Sequence, residues 1–536
     1  MTSPGRVSRA IRCSVPASGQ ASDSWFVGRN FLVYDREGDL EMPRSAREWL
    51  PPGHLCWRVL DVVEELDLSA FENGYCADGQ GGAGYPPVTL VALLLYCYSK
   101  GIRSSRRIEQ ACWDDVGCRI ITANRTVDHS TVARFVRRHR DALKKLFVQV
   151  LALCGRHGLV DLSAVAVDGS PMEANASRDS NQQLPRLEAV IVRCESEINA
   201  LMDDAGDHAR RVEADDGAGV DGDARDDGLR LSRLSDLLSR ARTARDRLYE
   251  RALPSANEIR IKVEAAERIV ARAQKRLAAE IAAHQEKLRK YQSRAEADRA
   301  TGRRGANGRP PVPMEHKTVL TRQRARLTKA IAHLERARNP RPEPSPTSRA
   351  SLSDPDSRLL PGKHGGYLQG YNLQIACARR QIILAIETHD NPSDCTALVP
   401  MVKQTQDNQR AAGLPGDIQL WLADSGYASA TSFETLADLP LLVSVTSEAD
   451  QAGFTAKRRQ ARAGHQAMAA RLATPTGRAQ YRQRSALVEP GFAQLFQRFG
   501  RHLNYRGHRA VDTEIKLLGT VHNLNKLLAG TIKSRS

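Results

Sequence analysis

Residues 162–170 read LSAVAVDGS and residues 418–427 read IQLWLADSGY. Each is a short apolar run closed by an aspartate next to small turn residues, the pattern of a buried strand entering a turn. Taken singly, Asp168 and Asp424 are what turns commonly contain. Taken together, two such strands in one sheet bring both carboxylates to a single sheet edge.

Strands also lie between them. GYNLQIACA (370–378) and QIILAIETH (381–389) flank a short basic turn and predict a hairpin. A helix is expected from about Ser393 to Gln409, another in SATSFETLAD (429–438), and a last strand in PLLVSV (440–445). The order strand, insertion, two strands, helix, strand, helix, strand predicts an α/β fold, a mixed sheet with helices on both faces.

Between the first strand and the hairpin the chain changes character. Leu187, Ile191, Cys194, Ile198 and Leu201 alternate by four and three, as in a coiled-coil seam, and Leu234, Leu238 and Ala241 continue it. The seams are separated by DDAGDHARRVEADDGAGVDGDARDD (203–227), too acidic and glycine-rich to offset the entropy of ordering, so a disordered loop tip is expected there. Residues 181–350 therefore read as a charged helical insertion that ends in the Pro-rich NPRPEPSPTS. The host domain is divided into residues 161–180 and 351–530, with a tail at 531–536.

Upstream, residues 45–160 carry helical patterns: WRVLDVVEELDL, VTLVALLLYCYSKG, SRRIEQACW and STVARFVRRHRDALKKLFVQVLALCG. This predicts an all-α N-terminal domain, preceded by a flexible arm over residues 1–44. Residues 100–160 hold 13 basic and 5 acidic side chains, and Arg134, Arg137 and Arg138 stand beside Phe135 and Val136 on one amphipathic helix. Asp128 and Ser130 offer N-cap oxygens. A helix-turn-helix DNA reader and an ordinary surface helix fit this pattern equally well.

The chain has 536 residues, too many for one hydrophobic core. Its net charge of +17 suits a polyanionic partner such as nucleic acid. The ten cysteines are widely spaced, with no CxxC pair, and read as reduced packing thiols. The longest apolar stretch, around residues 91–98, is too short to span a bilayer, so a cytoplasmic, nucleoid-associated protein without membrane contact is expected.

The chemistry needs a third carboxylate. Residues 451–510 contain 12 Lys or Arg and a single acidic residue, Glu489. A lone carboxylate among cations is often a structural ion-pair partner, but here the cations also form a phosphate-binding surface around a metal-competent oxygen pair. Pro490 disfavours α conformation at Glu489, so a helix is expected to begin or kink there, with Phe492 and Phe496 serving its core.

These residues resemble the bacterial insertion-sequence DDE transposases, with an RNase H-like catalytic core and a helical N-terminal domain. The likeness is to the insertion-sequence four/five superfamily, closest to its eleven-eighty-two-type group. It is carried by VAVDGSPMEANAS, DPDSR, GYNLQIA, NPSD, ADSGY and YRQRSALVEPGF. The resemblance implies a triad of Asp168, Asp424 and Glu489 holding two Mg²⁺ or Mn²⁺ ions. It also implies DNA contacts from Tyr481 and Arg484, joined by Arg482, by Arg498 where relatives often carry Lys, and by Arg506 in the YRG stretch. Inverted-repeat and target duplex DNA are the implied partners, with a homodimer or higher assembly on DNA. The alternatives are a non-catalytic DNA-binding protein derived from a transposase, and a plain metal-dependent nuclease. Residues 447–480 contain no Trp, so nothing is read about hairpin intermediates.

Overall fold

The computed structural model describes residues 45–73, 75, 84–214, 223–254, 256–301, 310–341, 344–362, 365–389, 391–445 and 458–533. The chain forms two units, residues 1–51 and 52–536. In the first, only the short helix α1 (Ala46–Trp49) is described; the expected arm at 1–44 lies outside the described residues.

The second unit opens with seven helices: α2 (Leu55–Glu64), α3 (Ser69–Glu72), α4 (Pro87–Ser99), α5 (Ser105–Asp114), α6 (Val116–Ile121), α7 (His129–Arg138) and α8 (Arg140–Arg156). Asp128 caps α7 by accepting from the amides of Ser130 and Thr131, at 2.9 and 3.0 Å. Helix α4 is apolar all round and buried along most of its length, as befits the centre of a helical layer.

The sheet follows. Strand β1 (Val165–Glu173) is central, β2 (Asn181–Gln183) and β3 (Arg349–Ser351) bracket the insertion, and β4 (Arg358–Pro361), β5 (Tyr367–Ala378), β6 (Ile383–His389), β7 (Trp421–Ala423) and β8 (Leu441–Val443) complete the set. The order is β4-β5-β1-β7-β8, with β6 also on β5. β1 runs antiparallel to β5 and parallel to β7, so the sheet is mixed as expected.

Register fixes the faces. Asp168 pairs with Ile375 and Gly169 with Gln374. Because the pleat alternates, Asp168 shares a face with Ile375 and Cys377, while Gln374 and Asn372 point to the other. Helix α17 (Gln483–Phe499) lies on the first face: a Cβ added at Gly491 would come within 2.9 Å of the Cys377 sulfur, so only glycine permits this approach. Helix α18 (His508–Lys533) packs there too, with Gly519 against Ile386. Helix α13 (Leu398–Ala411) serves the opposite face, where Gln404 donates to Glu387. The expectation of an α/β sheet with helices on both faces holds, and α14 (Ala430–Thr435), α15 (Arg458–Ala473) and α16 (Pro475–Tyr481) lie in sequence between β7 and α17.

In the insertion, α9 (Leu184–Ala214) pairs with α10 (Asp223–Ala252), burying Leu187, Ile191, Cys194, Ala241, Ala244 and Leu248; the seam is intramolecular. The acidic stretch differs from expectation. Its residues 203–214 and 223–227 continue the two helices, and only 215–222 lie outside the described residues. A helix already nucleated by a packed seam propagates cheaply into polar sequence. A second pair, α11 (Ala256–Ala300) and α12 (Thr318–Arg338), follows. The three-residue β2–β3 ladder closes the base of the insertion.

Helix α17 begins at Gln483, six residues before Glu489, and runs through Pro490. A mid-helix proline costs about 3 kcal/mol. Burial of Leu487, Val488, Phe492, Leu495 and Phe499 against the sheet offsets that cost.

The described cysteines are free, and all but Cys395 are buried. On α18, His522 is enclosed and its Nε2 bonds the Gln381 carbonyl at 2.8 Å. Burial pushes its pKa down to about 4, so the native imidazole stays neutral where the unfolded one takes a proton. Between pH 6.5 and 4 the unfolded state thus binds more protons, and stability falls with falling pH, by about 3 kcal/mol from this group. His522→Gln is expected to flatten this acid limb relative to wild type in urea unfolding at pH 4–7; equal slopes would show that the buried imidazole is not responsible.

Candidate active site

The centre of the site follows from the register above. Asp168 sits on β1 facing α17, and Asp424 follows the last residue of the adjacent parallel strand β7, whose Ala423 pairs with Val167. Asp424 caps the next turn, accepting from the Gly426 amide at 2.8 Å. Asp168 accepts from the Gly169 amide at 2.9 Å and is held by Arg484 of α17, Nη1 to Oδ2 3.1 Å. Both partners of this ion pair are largely shielded, with side chains 18% and 15% exposed.

Burial raises the Asp168 carboxyl above its ordinary value; Arg484 opposes that shift and the nearby Asp424 charge adds to it. Burial works against the Arg484 charge, yet Asp168 and Asp424 together hold its pKa above the usual value. Two carboxylates crowded against each other with one shared cation form a site that a further hard cation would relieve. Carboxylate oxygens are the donor chemistry that Mg²⁺ or Mn²⁺ takes.

Glu489 is on the same helix as Arg484 and is exposed. Among the described residues no three His, Cys, Asp or Glu side chains converge tightly enough to hold a metal ion. The fold thus brings together Asp168, Asp424 and Arg484. Tyr481 ends α16 immediately before its C-cap residue Arg482. Arg482 is exposed.

Other expected DNA contacts are engaged within the chain. Arg498 donates to the Ser99 carbonyl at 2.7 Å, and Arg506 to the Asn175 carbonyl at 2.6 Å. Arg379 of the basic turn bonds Ser163 and Gln483. On α7, Val132, Phe135 and Val136 are buried, while Arg134, Arg137 and Arg138 face outward; Arg138 lies over the Tyr75 ring at 5.2 Å.

One acidic residue escaped the sequence reading of the site. Asp394, in the NPSD stretch, accepts from Asn372 Nδ2 at 2.8 Å and Gln374 Nε2 at 2.7 Å, both on β5. The buried Tyr427 hydroxyl donates to Gln374. Asp394 presses on the residues beside both aspartates: its carboxylate oxygens lie 2.7 Å from a Cβ added at Gly169 and 3.5 Å from one added at Gly426. This network joins β1 beside Asp168, where the strand continues and the expected turn is absent, to the turn after Asp424. Only the NPSD motif signalled it. Asp394→Ala is expected to lower DNA cleavage about 100-fold, since misplacing reacting groups by about 1 Å can cost that much. Asp394→Asn keeps an acceptor for both donors and is expected to recover to within about 10-fold of wild type. Equal loss in both variants would mean that the charge, rather than the brace, is needed.

Arg501 is also close by, donating to Ser170 Oγ at 3.2 Å and stacking on Phe496 at 3.9 Å. It lines a groove of about 620 Å³ with Pro171, Arg178, Tyr367 and His502, beginning three residues beyond Asp168.

Two family profiles match the chain: a transposase domain (DUF772) over residues 44–138 and a transposase DDE domain over residues 347–524. The chain belongs to the insertion-sequence DDE transposases. As such it is a metal-dependent enzyme that cuts and transfers DNA. No curated protein and no solved structure matches it. Asp168 lies outside both matched segments, so its membership of the site rests on the β1–β7 register and the Arg484 ion pair. Among the described residues no helix is long and apolar enough to cross a membrane.

Proposed function

We propose that this transposase binds the terminal inverted repeats of an insertion sequence, cleaves the element ends and joins the freed 3′ hydroxyls to target DNA. The observation that carries this reading is the meeting of Asp168 and Asp424 just past the last pair of the parallel β1–β7 ladder, with Arg484 inserted from α17. Asp168, Asp424 and Glu489 are the assigned metal ligands. Two Mg²⁺ or Mn²⁺ ions held there would supply Lewis acidity at the phosphodiester and a nucleophilic oxygen at neutral pH.

The chain's own residues do the rest. Without DNA, Arg484 neutralises Asp168; a bound phosphate competes for the guanidinium, which can grip it bidentately and so free the carboxylate. Tyr481 and Arg482, beside Arg484, extend the phosphate grip. Arg134, Arg137 and Arg138 on the outer face of α7 are the proposed contacts to the inverted repeats. Synapsis of two ends requires at least a dimer on DNA.

The alternative is a non-catalytic DNA-binding protein derived from a transposase. Wild-type protein incubated with element-end duplex, target plasmid and Mg²⁺ or Mn²⁺ decides between them. Cleaved ends joined to target support transposition; cutting without joining leaves a nuclease, and binding without either leaves the alternative.

A further inference from the structure

Helices α11 and α12 pack chiefly against each other, with His284 bonding the Val312 carbonyl and ion pairs Lys317–Glu280 and Arg338–Glu267 closing the antiparallel pair. The seam of α12 holds Leu320, Leu327, Ala330, Leu334 and Ala337 at spacings of three and four or their sum. Beside it runs a second periodic set: Arg322, Arg326, Lys329, His333 and Arg336, separated by four, three, four and three. At about 100° per residue these side chains share an arc of roughly 80°. All five are exposed.

Elsewhere in the insertion, cations are met by anions: Arg193 by Glu197, Arg242 by Glu195, Arg247 by Glu250 and Asp356. The α12 set is different. The helix contains six Lys or Arg and one acidic residue, Glu335. None of Arg322, Arg326, Lys329 and Arg336 forms an ion pair with a described residue; Arg336 bonds only its own helix, at the Ala332 carbonyl. Holding four like charges on one arc is unfavourable for an isolated helix, because like charges at these spacings repel. A polyanion on that arc reverses the sign.

The stripe extends about 21 Å, the length of roughly six base pairs of duplex. Its members are long, flexible cations with no aromatic among them, which suits phosphates rather than bases. We propose that the α11–α12 hairpin is a sequence-independent arm for duplex DNA, gripping the phosphate backbone through Arg322, Arg326, Lys329 and Arg336. This rests on the reading of the chain as a DNA enzyme, and gives the insertion a partner.

The test is the salt dependence of duplex binding by the full chain, using a 30-base-pair duplex of arbitrary sequence without metal. The stripe variant combines Arg322→Gln, Arg326→Gln, Lys329→Gln and Arg336→Gln. A charge-matched control combines Arg186→Gln, Arg230→Gln, Arg233→Gln and Arg240→Gln on α9 and α10. Each phosphate contact contributes about 0.9 to the slope of log affinity against log salt, so the stripe variant is expected to lose about 3–4 units of slope. Its affinity near 0.1 M salt is expected to fall at least about 10-fold, with unchanged helix content by circular dichroism and little loss in the control. An unchanged slope, an equal loss in the control, or an effect only on self-association overturns the proposal. Wild-type cleavage is scored separately: failure to cut with a stripe-dependent slope sinks the transposition reading alone, while normal cutting with an unchanged slope sinks only the arm.

Discussion

Asp168→Ala and Asp424→Ala, made separately, are each expected to reduce cleavage of element-end DNA by at least about 1,000-fold, roughly 4 kcal/mol of transition-state stabilisation. DNA binding is expected to survive in both. The two carboxylates lie just past the last pair of the β1–β7 ladder, and each accepts from a nearby backbone amide, Gly169 within β1 and Gly426 in a turn, that water can satisfy. Asp168→Ala also removes the residue that neutralises Arg484, so binding should be as tight as wild type or tighter. Cleavage and strand joining are followed on gels with Mg²⁺ and with Mn²⁺, and affinity by mobility shift. Near-normal cleavage by either variant would falsify its assignment. The exposed Glu489 has the most to prove, and Glu489→Gln should match the aspartate variants. Should it cut normally while Asp394→Asn does not, the third carboxylate is Asp394.

The strands bearing Asp168 and Asp424 were legible as short apolar runs, but only Asp424 lies at a strand end: β1 continues to Glu173, because Gly169 and the residues after it stay paired with β5 where a turn was expected. The hairpin of β5 and β6 was equally plain. Other features depend on partners distant in sequence. The β2–β3 ladder is polar, three residues long, and joins residues separated by the whole insertion, so no periodicity announces it. Asp394 gains its role from Asn372 and Gln374, whose common face exists only once β5 is registered against β1. Arg498 reads as a free cation until the Ser99 carbonyl appears beside it, from a turn 399 residues away. At Pro490 the local rule was sound but outweighed, since the apolar face of α17 packs on both sides of the proline.

That distant turn also defines the largest stability effect. Glu514 on α18 is completely enclosed, and its two oxygens accept from Arg103 Nη1 at 3.1 Å, the Asn504 amide at 3.0 Å, Asn504 Nδ2 at 3.0 Å and the Tyr505 amide at 3.2 Å. Arg103 adds a bond to the His502 carbonyl at 2.7 Å. Burial drives the Glu514 carboxyl above its usual range, and Arg103 and the surrounding N–H donors oppose the shift. Glu514→Ala removes every acceptor at once and leaves a buried guanidinium without its counter-charge, which costs about 3–5 kcal/mol. Arg103→Ala is expected to cost a similar amount, and the double variant much less than their sum, because the second change removes the stranded partner. Urea unfolding of the three variants measures this; additive losses, or less than about 1 kcal/mol for Glu514→Ala, would show that the pair is not coupled. The functional consequence follows from position. Arg103 leaves the turn between α4 and α5, and Arg498, on the helix that carries Arg484, bonds that same turn at Ser99. Loosening Glu514 therefore loosens the helical layer that presents α7 from the helix that reaches Asp168, and coupling between end recognition and cleavage should weaken before either fails alone.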